Sequence, residues 1–186
     1  MANSAVGRYV AKLARTKALR SIGIVRRPEL VDRLQHDGAD AVILQDWRDS
    51  EDLAQRVKAM TGGKPPRLAL DAIGGSAASA LASCLADGGT VVNYGLLSGA
   101  PCQIASHDLI FRDVRLHGFW LARWFRETPP ERVQRLYQYL IALVADGTLA
   151  VPIDESYPFS RIGEALSHAG RAGRAGRDGK IQLTPG

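Results

Sequence analysis

Asn3-Ser4-Ala5-Val6-Gly7 places two short polar side chains and a glycine at the start of a run with helical periodicity. Those residue types suit a turn that presents backbone amides to a phosphate. The polar pair caps the helix, the glycine lets the backbone come close, and the positive end of the helix dipole favours an anion. With a single glycine the segment matches G-x-G-x-x-G poorly, and a plain helix cap is the competing reading. About 20 residues further on, where a dinucleotide site places the group that reads the ribose, the chain carries Ile24-Val25-Arg26-Arg27-Pro28. A carboxylate there would hold ribose hydroxyls. Two guanidiniums instead offer planar, permanently charged forks to a 2′-phosphate, which favours NADPH over NADH. Adjacent loop arginines are otherwise often only solvated. A third set, Tyr94-Gly95 and Phe119-Trp120, closes two later apolar runs. Glycine at such an end admits a flat ring against the backbone, while Trp120 equally suits core packing or a dimer interface.

Other chemistries lack their residues. There is no Gly-x-Ser-x-Gly elbow and no Walker-type Gly-Lys-Ser/Thr. The Tyr-x-x-x-Lys pair of short-chain reductases is missing, since Leu13 follows Tyr9 and Ser98 follows Tyr94 at that spacing. No proton donor stands out, so no catalytic residue is assigned. Cys84 and Cys102 form neither a disulfide framework nor a zinc spacing, and no metal is expected. His36, His107, His117 and His168 are scattered and read as structural or solvated.

Lys and Arg number 24 against 19 Asp and Glu, a net charge of +5. The arginines are spread rather than gathered with aromatics, which argues against nucleic acid. The one local cluster, Gly170 to Arg177, reads as a solvated Gly/Arg stretch, with anionic-ligand or nucleic-acid contact as the alternative. No apolar run approaches the ~18 residues of a membrane span, and no signal-peptide layout opens the chain. The expectation is a cytoplasmic protein with no membrane partner.

The elements that must position these residues alternate regularly. Val6, Tyr9, Val10, Leu13 and Ala14 recur at helical spacing, with Asn3 and Ser4 as caps. Strands are expected at Leu19 to Val25, Ala41 to Leu44, Leu68 to Ile73, Thr90 to Tyr94 and Val114 to Phe119. Helices are expected from Pro28 to Gly38, from Ser50 to Met60 with Ser50 as cap, from Ser76 to Ala86, and briefly around Leu109-Ile110. This rhythm argues for a doubly wound parallel α/β sheet. Then Thr128-Pro129-Pro130-Glu131 reads as cap, N1 proline and capping-box glutamate of a helix ending at Gly147. A strand at Ile153 to Phe159, a helix from Ser160 to His168 and a strand at Lys180 to Thr184 close the chain.

Taken in order, these stretches resemble the medium-chain dehydrogenase/reductase superfamily. Within it they most resemble the NADPH-dependent trans-2-enoyl-thioester reductases, with quinone-oxidoreductase-like proteins next. The residues that carry the likeness are Asn3 to Gly7, Val25 to Pro28, Pro66 to Asp71 with Gly74-Gly75, Tyr94-Gly95, Phe111-Arg112-Asp113 with Gly118-Phe119-Trp120-Leu121, and Gly179 to Leu183. The resemblance implies that Asn3, Ser4, Ala5 and Val6 bind the pyrophosphate, with Gly7 closing the turn. It implies that Arg26 and Arg27 hold the 2′-phosphate and that Tyr94, Gly95, Leu96 and Leu97 lie along the nicotinamide side. Phe119, Trp120 and Leu121 would meet that same end, and Lys180 would reach the cofactor from the C-terminal segment.

In that family the catalytic domain is mostly N-terminal and supplies a tyrosine as proton donor. The resemblance therefore implies a Rossmann-like domain over residues 1–124 lacking its first, central strand. Residues 125–186 would complete an absent catalytic domain. The Leu19–Val25 and Leu68–Ile73 strands would then have no shared partner, and each unpaired buried backbone group costs ~1–3 kcal/mol. The implied function is the cofactor portion of an enoyl-CoA or enoyl-ACP reductase, inactive as an isolated chain. A quinone-reductase-like activity and a non-catalytic NADPH-binding fragment are the alternatives, and a homodimer is open to it.

Overall fold

The computed structural model describes residues 1–45, 52–150, 152–170 and 179–185. The expected Ser50 cap and most of the Gly170–Arg177 stretch lie outside the described residues. The chain runs α1 (Ala5–Thr16), β1 (Ile22–Val25), α2 (Val31–His36), β2 (Ala41–Leu44), α3 (Leu53–Met60), β3 (Leu68–Asp71), α4 (Ser76–Ser83), β4 (Thr90–Asn93), α5 (Ser106–Ile110) and β5 (Arg115–Gly118). It continues with α6 (Leu121–Glu127), α7 (Pro130–Ala145), β6 (Ile153–Pro158), α8 (Ile162–Ala169) and β7 (Lys180–Thr184). Pro28 opens a short 3-10 turn rather than α2 itself, its fixed φ suiting a first helical position.

Every strand pair is parallel, as the crossover helices require. The described strands form three ladders, β1–β2, β3–β4–β5 and β6–β7. None of them pairs with both β1 and β3, the arrangement expected when the central position is not taken by a strand. What joins the first two ladders is side-chain packing. On one face of β1–β2, Val25 and Val42 pack with Ala11 of α1 and Leu30, Leu34 and Ala39 around α2. On the other, Ile22, Ile24 and Ile43 pack with Leu53 and Val57 of α3 and with Ala80 and Cys84 at α4. Ala82 and Leu85 then cover Val91 of the second ladder and Val114, which leads into β5. The opposite face of that ladder is open, with Leu68 and Leu70 exposed.

In the C-terminal third one element is unexpected and one expectation is corrected. The Leu121–Glu127 segment, to which the sequence pattern assigns no element, is helical, its aromatic residues carrying no clear 3.6 period. Thr128 does not cap α7: Pro129 takes the N-cap position with no side-chain bond, while Pro130 does sit in the first turn. Gly147 follows the helix in a left-handed conformation, as a stop signal should (φ 81°). No residue of α7 is buried, and its Tyr137, Ile141 and Val144 are exposed.

Cys84 gives this packing a measurable signature. Burial pushes its thiol up to about 11 from 9.0, and the Sγ donates to the Ala80 carbonyl. A raised native pKa means the unfolded chain loses this proton first. The contribution is therefore intact below pH 9 and is lost as pH climbs from 9.0 through about 11. Urea unfolding across that range is expected to show wild type losing more stability than Cys84→Ala. Parallel curves for the two proteins would contradict it.

Candidate functional site

The site forms where α1 begins and where β1, β3 and β4 end. Ser4, in extended conformation, accepts a hydrogen bond at Oγ from the Gly7 amide at 3.1 Å, and its carbonyl takes the Arg8 amide at 2.9 Å. Ser4 is thus the N-cap and Asn3 is not. Among the described hydrogen bonds the amides of Ala5 and Val6 have no protein acceptor, so they are the donors of the helix end. The turn folds back so tightly that a Cβ on Gly7 would stand 2.6 Å from the Ala2 carbonyl carbon. Only glycine fits. An ion pair from buried Arg8 to Asp37, the C-cap of α2, fixes the helix behind this turn.

The ends of β1 and β3 reach the same place. Burial and the neighbouring Arg26 guanidinium push the Met1 amine down, while the Asp71 carboxylate opposes them. Arg26, at the end of β1, and Asp71, the last residue of β3, therefore both act on the entry to the α1 turn. The two arginines are not equivalent. Arg26 is exposed, whereas Arg27 is half-buried and its Nε lies 3.5 Å from Glu29. Tyr94 follows β4, and burial together with Asp71 raises its phenol, keeping it protonated.

Gly95 explains itself by contact, since a Cβ there would meet the Ala72 carbonyl oxygen at 2.7 Å. From it the loop rides over the β3–α4 turn, with Leu97 N bonded to Ala72 O (3.3 Å) and Ser98 N to Ile73 O (2.9 Å). Leu96 and Leu97 project outward, 79% and 65% exposed. Phe119 N bonds to Asn93 O at 2.8 Å, which brings the end of β5 beside the end of β4. Phe119, Trp120 and Leu121 are exposed there, Arg126 lying over the Trp120 ring.

Lys180 stands apart. It opens β7 in register with Ile153, exposed in the third ladder, and no described hydrogen bond or ion pair joins its side chain to the others. Asp71 closes one of the stretches that carry the resemblance but has no role assigned by it, and Asn93 belongs to none of them, yet the two are bonded side by side within this site. The available signal was that each is the polar last residue of an apolar strand.

Residues 5–139 match the family model described as zinc-binding dehydrogenase. The chain is 36% identical over 168 residues to the mitochondrial enoyl-[acyl-carrier-protein] reductase of Homo sapiens, covering 88% of this chain and 44% of that protein. With the Caenorhabditis elegans protein of the same name it shares 38% over 153 residues, 80% of this chain and 42% of that one. Among solved structures, a Bacillus thuringiensis protein described as an NADPH:quinone reductase superposes with a TM-score of 0.84 at 27% identity, covering all of this chain and 54% of that one. Etr1p in complex with NADP and crotonyl-CoA superposes with 0.80 at 26% identity, covering 98% and 51%. The chain spans less than half the length of these curated relatives.

The family description raises the question of zinc, and the residues do not fit it. Among the described residues no group of three His, Cys, Asp or Glu side chains could hold a metal ion. Nor is any helix there long and apolar enough to cross a membrane. A dinucleotide is different. The open helix end, the exposed guanidinium beside it and the glycine-floored loop are the donors, charge and close approach that a phosphate and a flat ring require.

Losing the cap in Ser4→Ala is expected to cost ~0.5–2 kcal/mol in urea unfolding. Gly95→Ala should cost more than a surface glycine substitution, because its new methyl meets backbone at 2.7 Å. A neutral Gly95→Ala would remove the close-approach argument.

Proposed function

The chain belongs to the zinc-binding dehydrogenase family, within the medium-chain dehydrogenases/reductases, and on that premise we propose that it is the NADPH-binding portion of a zinc-independent 2-enoyl-thioester reductase. The observation that carries the reading is the Ser4-capped end of α1, with Arg26 and Asp71 acting on its entry and the Gly95 loop closing on Ala72 just after Asp71. Relatives named as enoyl-acyl-carrier-protein reductases, and the neighbour in complex with NADP and crotonyl-CoA, supply the chemistry. In that chemistry hydride passes from NADPH to the β-carbon of the enoyl thioester and a proton is added at the α-carbon.

The chain's own residues would do the binding. The Ala5 and Val6 amides would hold the pyrophosphate, Arg26 the 2′-phosphate with Arg27 behind it, and Tyr94 to Leu97 the nicotinamide side. Phe119 to Leu121 would bound that same end, and Lys180 would have to approach from the third ladder. No proton donor is assigned among them, and the donor is expected from the rest of the reductase, so this chain by itself would not turn over. The division into 1–124 and 125–186 belongs to this reading as well, although α6 runs across that boundary and the chain next bends at Thr128–Pro129.

A quinone-reductase-like activity is the second reading, favoured by the Bacillus thuringiensis neighbour. A homodimer would use the β5 edge and the segment leading to it, where Leu116, Ile110 and Phe111 are exposed. Sedimentation finding only monomer at micromolar concentration would remove that part.

Titration with NADPH and NADH, followed by tryptophan fluorescence, is expected to give tighter NADPH binding. Arg26→Ala should weaken NADPH binding roughly tenfold or more, as for a lost charge-assisted bond, and Arg27→Ala less. Equal affinity for the two coenzymes would defeat the arginine assignment. Crotonyl-CoA reduction by this chain alone should be undetectable, and measurable turnover would show that a proton donor is present after all.

A further inference from the structure

Asp71 is 1% exposed, a carboxylate buried at a strand end, and the binding roles above leave it unused. The β3–β4 register sets it directly beside Asn93, both on the face covered by α4. Asp71 Oδ1 accepts from the Ile73 amide at 2.8 Å, and the Gly74 amide reaches both carboxylate oxygens at 3.2 and 3.1 Å. Asn93 Nδ2 donates to Asp71 Oδ2 at 2.9 Å and to the Gly95 carbonyl at 2.9 Å. Two hydrogens on one amide are thereby divided between the carboxylate and the loop. The carboxylate fixes which way the Asn93 amide is turned, because its oxygen could not face Asp71.

The consequence falls on one peptide. All described peptide bonds are trans, and in a planar trans unit the C=O and N–H point opposite ways. Drawing the Gly95 carbonyl inward to Asn93 sends the Leu96 N–H outward, on the side where Leu96 is 79% exposed. We propose that Asp71 and Asn93 are positioning residues for the nicotinamide end of the bound cofactor: they hold the Gly95–Leu96 peptide with its N–H presented to the ring. This rests on the NADPH reading above. It adds that affinity for one end of the cofactor is set by a carboxylate–amide pair that never touches it. A purely structural Asx turn would steady the strand ends without distinguishing one end of the nucleotide from the other.

Titrating NADPH and 2′,5′-ADP, which keeps the 2′-phosphate and lacks the nicotinamide, separates the two. Asn93→Ala is expected to weaken NADPH binding roughly five- to tenfold, the loss of about one ordered hydrogen bond, and to leave 2′,5′-ADP within about twofold. The paired exchange Asp71→Asn with Asn93→Asp keeps a donor and an acceptor across β3–β4, yet residue 93 can no longer donate to Gly95. It should fold and behave as Asn93→Ala does. Equal losses for both ligands, or no loss for either, would overturn the proposal while leaving the cofactor reading standing. If wild type binds neither ligand, the cofactor reading falls and the proposal with it. Hydrogen exchange of the ligand-free proteins gives the second readout: the Leu97 and Ser98 amides should exchange faster in both variants, and unchanged protection there counts against the network.

Discussion

Close packing around α4 is the interaction on which the rest depends. The described strands of the first two ladders exchange no backbone hydrogen bonds, so their relation is set by one helix that both press against. Its sequence, Ser-Ala-Ala-Ser-Ala-Leu-Ala-Ser, is almost free of bulk. Ala77, Ala78, Ala80 and Ala82 are all buried, which lets the helix axis come close to strands on two sides at once. A larger side chain at any of them would force the ladders apart, since a close-packed interior yields little. Gly74 and Gly75, both in positive-φ conformations (74° and 59°), turn the chain from β3 into this helix at the end of the short turn that begins at Ala72.

That packing aligns the strand ends, and their alignment makes a site from weak parts. A capped helix end, an arginine in a loop and a glycine after a strand are each common. Here Arg26 and Asp71 both act on the Met1 amine and Asp71 also acts on Tyr94, while Gly95 closes on Ala72. Positive charge comes from Arg26 and the dipole of α1, and the carboxylate of Asp71 is turned inward to amides rather than outward to an anion. The result is an edge with exposed donors and a buried acceptor, the polarity that a phosphate-bearing ligand needs.

Much of this was legible because local rules were obeyed. The helical stripe of α1, the Ser4 cap, the proline before α2 and the left-handed Gly147 all follow from propensities that act within a few residues. That two arginines directly follow β1 was legible as well. Less was readable from Leu121 onward, where aromatic side chains satisfied neither period cleanly and Thr128 was passed over as a cap in favour of the conformation that Pro129 imposes. That Arg27 is drawn to Glu29 while Arg26 stays exposed is a contact no sequence pattern states.

By itself the sequence determined the element types apart from α6, their alternation, the parallel crossovers and the family, because periodicity, capping and turn residues are local properties. Only the tertiary structure decided which polar strand ends share a carboxylate, that Lys180 lies in a ladder of its own, and that Gly95 is required by the Ala72 oxygen. Those facts depend on register and on contacts between residues more than 20 apart, as Asp71 and Asn93 are. Strand pairing fixes them at once, and no single stretch of chain contains them.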